Sequence, residues 1–345
     1  MISSNFKILF ITRAYGERAG GLERFSFELI RAVSKHPNVN SEIIKHTGSR
    51  LTSPLFIITV IPRALLAARR ADVVHLSDPM LSLAGWLIKK ILHKPVAVNV
   101  HGLDITYPNF LYQTYLRLFF RHLDAYFPIS RHVNTILARW RVFGTQTVIN
   151  PGISDIFFDP TVKKTTSNCV TLLTVGRLVK RKGHAWFITN VLPHLPKNIT
   201  YIIAGEGPEV DNIKQAAEQH NVSSRVTLLG KVSPAKLKIL YNTVDGFIQP
   251  NIKIKNDTEG FGLVLLEAAL CNLPVYAADI DGIPDAVQNN QNGILVTSGD
   301  AEAWTRILRR PISTPRNSRQ YTFNKFSWDI VADKYYQSLI TLPAR

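Results

Sequence analysis

EGFGLVLLEAAL, Glu259 to Leu270, sets two carboxylates, Glu259 and Glu267, eight residues apart, with a Gly-Phe-Gly turn and an apolar run of helical propensity between them. The spacing predicts two different settings. Glu259 falls in the loop ahead of the helix, where its carboxylate reaches outward to a ligand, and Glu267 lies about two turns inside. The amide N–H groups of Phe261, Gly262 and Leu263 would be the unpaired donors of the helix N-terminus, a ready place for a diphosphate. Glycine at 260 and 262 lets the backbone come close to such a ligand. The plain alternative is an amphipathic helix whose acids lie on its wet face. Two acids beside a phosphate would repel it, so the ligand reading requires the acids to bind neutral hydroxyls and the cations to come from elsewhere in the chain.

Those cations are found in VTLLTVGRLVKRKGHAWFI, Val170 to Ile188. It begins as a buried-strand pattern, turns at Gly176, and presents Arg177, Lys180, Arg181 and Lys182 before a new apolar run. A strand of an open parallel sheet delivers such residues to the crevice at its C-terminal end, where ligands bind. Arg177 and Lys182 are the candidate diphosphate clamp, Arg gripping two oxygens at once and Lys acting as a point charge. The alternative for a charge run is a solvated basic turn.

The order GGLERF (Gly20 to Phe25), HGLD (His101 to Asp104), VGRLVKRKG (Val175 to Gly183), AGEGPE (Ala204 to Glu209), LGKVS (Leu229 to Ser233) and EGFGLVLLEA (Glu259 to Ala268) resembles the retaining glycosyltransferases of the GT-B fold, family four. The resemblance covers nearly the whole chain, and its most specific parts are the R-x4-K and E-x7-E pairs. It implies that Arg177 and Lys182 hold the donor diphosphate, that Glu267 binds the ribose, and that Glu259 binds hydroxyls of the transferred sugar. It further implies that His101 contacts the donor sugar and that backbone near Lys231 and Val232 contacts the base.

The 345 residues suit two domains of ordinary size. With 46% hydrophobic and 19% charged residues, the composition is that of a soluble globular protein and argues against disorder. Two cysteines, Cys169 and Cys271, both in apolar contexts, argue against a disulfide framework and for a reducing, cytoplasmic setting. The opening MISSNFKILFIT reads as a leading strand and not as a signal peptide. A net charge of +16 calls for an acidic partner: nucleic acid, an anionic membrane surface or a phosphorylated substrate. No apolar run is long enough to span a bilayer; the longest, LFIITVIPRALLAARR from Leu55, is broken by Pro62 and Arg63 and reads as an amphipathic element.

Along the chain, strand-like runs at 6–12, 42–45, 71–77, 95–102 and 124–130 alternate with helical stretches, among them Leu22 to about Val33. This predicts a parallel sheet covered on both faces. Gly20 and Gly21, where the first loop meets its helix, are candidates for close approach of donor phosphate or acceptor, and the absence of G-x-G-x-x-G counts against a dinucleotide-binding dehydrogenase. Asn109 to His122 is crowded with aromatics and two arginines. Burial between layers is the favoured reading, and a lipid-headgroup surface is its rival. A linker follows through Asn150 to Pro160. The alternation then repeats at 170–175, 200–204, 226–229, 246–249, 274–277 and 293–296. Phe326 to Ile340 reads as a terminal helix with Ser327 as its N-cap and Ile330, Val331, Tyr335 and Leu339 on one face.

The expectation is an α/β chain of two Rossmann-like, doubly wound domains facing each other across a cleft: an acceptor-side domain (1–160), a nucleotide-sugar domain (161–325), and a helix (326–345) returning to the first. It would move a hexose from GDP-mannose or a UDP-hexose to a glycan or lipid-linked acceptor with retention. Arg177, Lys182, Glu259 and His101 would form the catalytic set, and Gly20, Gly21, Lys231, Val232, Phe261, Gly262, Leu263 and Glu267 would complete the binding set. No Asp-x-Asp signature is present, so neither metal nor cofactor is expected. A cytoplasmic place is expected, with a peripheral hold on the membrane face left open. A nucleotide-sugar epimerase of the same fold is the nearest rival. A nucleic-acid binder is the rival of another class, against which stands the lack of any helix-turn-helix, zinc or RNP signature.

Overall fold

The computed structural model describes residues 6–16, 21–48, 52–162 and 168–343. The chain divides into two compact units, one of residues 1–152 with 326–345 and one of 153–325. The sheet of the first is built from β1 (Phe6–Thr12), β2 (Val39–Lys45), β3 (Val73–Leu76), β4 (Val96–Val100), β5 (Ala125–Pro128) and β6 (Thr145–Gln146) in the order β2-β1-β3-β4-β5-β6. Every neighbouring pair is parallel. β3, β4 and β5 are buried along their length, as strands covered on both faces must be, and this is why they read as nearly continuous apolar runs.

The covering helices of this unit are α1 (Gly21–Ser34), α2 (Ser53–Thr59), α3 (Ile61–Ala68), α4 (Ser82–Leu92), α5 (Leu103–Thr106), α6 (Phe110–Phe119) and α7 (Arg131–Ala138). The Leu55 stretch is split into α2 and α3 at Val60 and Ile61, with proline in the first turn of each helix. Burial of Asn109 to His122 between layers is corrected by the structure. Along α6 only Leu116 is fully buried, while Phe110 is 78%, Leu111 76% and Leu118 57% exposed.

The second unit repeats the plan with β7 (Val170–Val175), β8 (Ile199–Ala204), β9 (Val226–Gly230), β10 (Gly246–Gln249), β11 (Val275–Asp279) and β12 (Ile294–Thr297), ordered β12-β11-β10-β7-β8-β9 and again parallel throughout. Its helices are α8 (His184–Asn190), α9 (Val210–Gln219), α10 (Pro234–Thr243), α11 (Leu263–Leu270), α12 (Ile283–Ala286), α13 (Ala301–Leu308) and α14 (Ser318–Phe326). Phe187, Tyr201, Ile248 and the fully buried Trp304 anchor its core. The chain passes into this unit after Gly152, ahead of the boundary read at 160. The reason is local: Asn242 bonds the carbonyl of Phe157 (2.7 Å) and the N–H of Asp159 (3.1 Å), and Lys238 pairs with Asp159 at 3.0 Å. Cys169 is exposed just before β7, unlike its expected apolar setting, whereas Cys271 is buried; among the described residues neither forms a disulfide.

The last helix, α15 (Trp328–Ile340), packs within the first unit. Val331, Ala332, Tyr335 and Leu339 are its buried face, and the Tyr335 hydroxyl donates to Asn99 at 2.7 Å. Ser327 occupies the N-cap position but makes no side-chain cap bond, so the start of the helix here is set by packing. Among the described residues no helix is long and apolar enough to cross a membrane.

Buried histidines give both units the same acid sensitivity. Burial lowers His75 (first unit) to about 4 and His184 (second unit) to about 3, the latter with help from the charge of Lys182. Each is held neutral, so its contribution to stability is full above the ordinary value of 6.5 and is lost as pH falls below it. Each histidine should cost up to about 1.4 kcal/mol per pH unit below that point. Thermal melts should therefore show a falling midpoint from pH 6.5 towards 4; a flat profile would contradict the assignment.

Candidate active site

In the second unit the strand order reverses between β7 and β10, and the crevice outside the carboxyl ends of these two strands is where an open sheet of this kind takes a ligand. The loops that leave them, residues 176–183 and 250–262, are tied to each other. Ile252 N–H donates to the carbonyl of Arg181 at 2.9 Å. Gly183 has φ +70, and a Cβ there would overlap the carbonyl of Pro250, so only glycine allows the approach. Gly183→Ala should cost about 2–3 kcal/mol in urea unfolding, through left-handed strain together with backbone overlap. An unchanged midpoint would show that the loops can part freely.

The tie brings Lys182 onto Glu259. Both are buried, at 6% and 8% exposure, and Lys182 Nζ lies 2.7 Å from Glu259 Oε2. Asn251 Nδ2 donates to the same oxygen at 3.2 Å, and Arg181 stands at 3.7 Å. Burial alone would raise the Glu259 carboxyl, but Lys182 and Arg181 outweigh it and hold the group below its usual range. The backbone of Glu259 is fixed as well, its N–H donating to Asp281 Oδ2 (3.0 Å) and its carbonyl accepting from Gly282 N–H (3.0 Å). The outward-reaching Glu259 of the sequence reading is thereby corrected. A carboxylate this buried needs a cation, and Lys182 supplies it.

Gly262, with φ +98, forms the left-handed N-cap of α11, so the first helical amide is that of Leu263, and Phe261 and Gly262 belong to the loop before it. Glu267 is the fifth residue of α11, just over one turn in rather than two. It is 5% exposed, which excludes the wet-face alternative, and its Oε2 accepts from the Tyr241 hydroxyl at 2.9 Å. Arg177 is exposed on the β7 loop, while Lys231 (exposed) and Val232 (half-buried) follow β9. Among the described residues none of these three hydrogen-bonds or ion-pairs with Lys182 or Glu259, whose close partners are Asn251 and Arg181.

Three participants, Asn251, Tyr241 and Gln249, escaped the sequence reading, and Arg181 was read only as one of the basic run. Arg181 and Asn251 hold Glu259, and Tyr241 holds Glu267. Gln249, at the end of β10, is fully buried with both amide atoms lacking a protein partner, and a Cβ on Gly262 would lie 3.4 Å from its Nε2. Buried amides of this kind are normally satisfied, so Gln249 is equipped to meet a ligand at the start of α11. Its place as the last strand residue before Pro250 was the available signal.

The first unit has its own order reversal, between β1 and β3. Arg13 after β1 pairs with the buried Asp78 after β3 at 2.9 Å. His101 follows β4. Its N–H donates to Asp104 Oδ2 (2.9 Å), its ring nitrogen Nε2 lies 3.3 Å from the carbonyl of Ser77, and its ring meets Phe25 edge-on at 5.0 Å. Burial raises the Asp104 carboxyl, against the pull of His101. Gly21 opens α1; Gly20 lies outside the described residues. Among the described residues no group of three or more His, Cys, Asp or Glu side chains is placed to hold a metal ion.

Two parallel, doubly wound units with a charged, buried cluster at the switch point of the second are a setting in which open α/β sheets take a ligand, and comparison with known proteins supplies the class. Residues 156–326 match the family of glycosyl transferases group 1, and residues 14–152 match the glycosyl transferase 4-like domain. The chain belongs to the group 1 glycosyltransferases, and its fold is GT-B.

Similar curated proteins include a component of the phosphatidylinositol N-acetylglucosaminyltransferase of Arabidopsis thaliana, 23% identical over 58% of this chain and 45% of that protein. Another is the GDP-mannose-dependent alpha-(1-6)-phosphatidylinositol monomannoside mannosyltransferase of Mycobacterium tuberculosis, 30% identical over 48% of this chain and 46% of that one. The chain thus spans less than half the length of these relatives. Among solved structures, HepE of Anabaena in complex with UDP superposes with a TM-score of 0.74 at 19% identity, covering 98% of this chain and 100% of that chain.

Proposed function

We propose that this glycosyltransferase moves a hexose, with retention, from a nucleotide-diphosphate sugar to a glycan or lipid-linked acceptor in cell-surface glycan or glycolipid synthesis. The observation that carries the reading is the buried Lys182–Glu259 pair at the β7/β10 switch point, 2.7 Å apart, with the start of α11 beside it. In this reading Lys182 and Arg177 face the leaving diphosphate together with the amides at Phe261, Gly262 and Leu263, electrostatic stabilisation aimed at the charge that develops as the bond breaks. Glu259 spends Oε2 on Lys182 and Asn251 and turns Oε1 to sugar hydroxyls. Glu267 binds the ribose, backbone at Lys231 and Val232 meets the base, and His101 contacts the donor sugar. The bond from the anomeric carbon to the diphosphate oxygen breaks, the acceptor oxygen bonds that carbon from the same face, and the departing phosphate takes the acceptor's proton.

These cations can meet the diphosphate charge without a divalent ion, so the proposed reaction is metal-independent. UDP in HepE and GDP-mannose dependence in the mycobacterial relative keep both donor classes in play. The net charge of +16 and the phosphatidylinositol substrates named for both curated relatives favour a lipid-linked acceptor met at the cytoplasmic membrane face. A thermal-shift screen against GDP- and UDP-sugars, followed by NMR of the product's anomeric configuration, tests the proposal. A shift with one donor and a retained configuration support it; an inverted product, or conversion of the donor with no acceptor present, refutes it.

A further inference from the structure

We propose that the groove between α6 and α7 on the first unit is a headgroup-binding site that seats this face on an anionic lipid surface. It extends the membrane part of the preceding reading and does not depend on the transfer chemistry.

The groove, of about 510 Å³, is lined by Arg117 and Arg121 of the α6 segment, Arg139 and Arg141 after α7, and Gln113 and Trp140. Residues 105–154 hold five arginines and a single acidic residue, Asp124. Asp124 is not among the residues that line the groove. Asp124 is buried, pairs with Lys89 at 2.8 Å and accepts from the Val96 N–H at 3.0 Å. Arg117, Arg139 and Arg141 are exposed. Arg121 is half-buried and held in place, donating to the carbonyl of Arg141 at 3.3 Å and lying over the Phe143 ring, while its buried Nε has no protein acceptor. Several guanidinium forks with no carboxylate among them are a receptor for phosphate oxygens, which Arg engages in pairs.

Lipid, rather than free phosphate, is the occupant because the same helix carries uncovered apolar side chains. Phe110, Leu111 and Leu118 of α6 are 78%, 76% and 57% exposed, and Tyr107 just before it is 62% exposed. A helix with arginines beside large apolar groups, and an indole at the groove wall, suits the boundary between headgroups and acyl chains. Anionic headgroups draw basic residues to this boundary, and the attraction is screened by salt.

Flotation with vesicles of phosphatidylcholine alone and of phosphatidylcholine with an equal part of phosphatidylglycerol tests the site, with no nucleotide or acceptor present. The expected result is binding to the anionic vesicles only, fading with added salt. Arg117→Glu with Arg139→Glu should weaken it by at least about tenfold, Arg117→Lys with Arg139→Lys should keep it, and Phe110→Ser with Leu111→Ser should weaken it while leaving its salt dependence. Arg306→Glu with Arg310→Glu, the same charge change on exposed positions of the second unit, should leave binding intact. Equal loss in both charge-reversed proteins, equal binding to neutral vesicles, no vesicle binding at all, or release by inorganic phosphate at matched ionic strength would each overturn the proposal. A donor-induced thermal shift in the same preparations reports separately on the transferase reading.

Discussion

Lys182→Ala should lower turnover by about a hundredfold or more, the loss seen when one electrostatic donor is removed from a developing charge, and it should also destabilise the second unit. The second effect follows from burial. Glu259 would keep only Asn251 and the more distant Arg181, and a buried carboxylate stripped of its close cation costs about 3–5 kcal/mol. Arg177→Ala should share the kinetic loss but not the structural one, because Arg177 is exposed. The double variant Lys182→Ala, Glu259→Gln separates the two roles. Neutralising the carboxylate should restore much of the unfolding free energy and none of the turnover. A Lys182→Ala protein with wild-type kcat at saturating donor would remove Lys182 from the diphosphate.

Glu267→Ala and Glu259→Ala should divide one ligand between them. Glu267 is buried on α11 and Glu259 sits in the loop before it, so the first should govern the bare nucleotide and the second the attached sugar. A hydrogen bond to a charged group contributes about 1.5–3 kcal/mol, which corresponds to about 10- to 100-fold in affinity. In titration calorimetry, Glu267→Ala should weaken nucleoside diphosphate and nucleotide sugar by this factor alike. Glu259→Ala should weaken the nucleotide sugar much more than the bare diphosphate. Tyr241→Phe, which removes the bond to Glu267 Oε2, should cost less than Glu267→Ala. Equal losses for both ligands in both carboxylate variants would refute the division.

Much of the fold was legible because buried parallel strands announce themselves. β1, β7 and β10 have the bounds read from their apolar runs, since both faces of each are covered and few polar residues interrupt them. β6 escaped, being two exposed residues with no apolar signal. The α6 stretch was misread for a complementary reason: Phe, Leu and Tyr along a helix look the same whether protein covers them or nothing does, and here Phe110, Leu111 and Leu118 stand uncovered. At the site, the types and spacing of Lys182, Glu259 and Glu267 were visible as motifs, but their pairing was not. That Lys182 closes on Glu259, and that Asn251 and Tyr241 hold the two carboxylates, depends on how loops far apart in sequence meet at a strand-order reversal. The run Lys180, Arg181, Lys182 shows the limit well, since its charges read alike in sequence while burial sends Lys182 inward and leaves Lys180 in solvent.

A crystal structure grown with UDP or GDP decides whether a nucleotide diphosphate binds at the β7/β10 switch point of the second unit. Diphosphate density is expected within hydrogen-bonding reach of Lys182 Nζ and of the amides that open α11, with the ribose against Glu267. Nucleotide density anywhere else, or a diphosphate that leaves Lys182 untouched, would contradict this assignment.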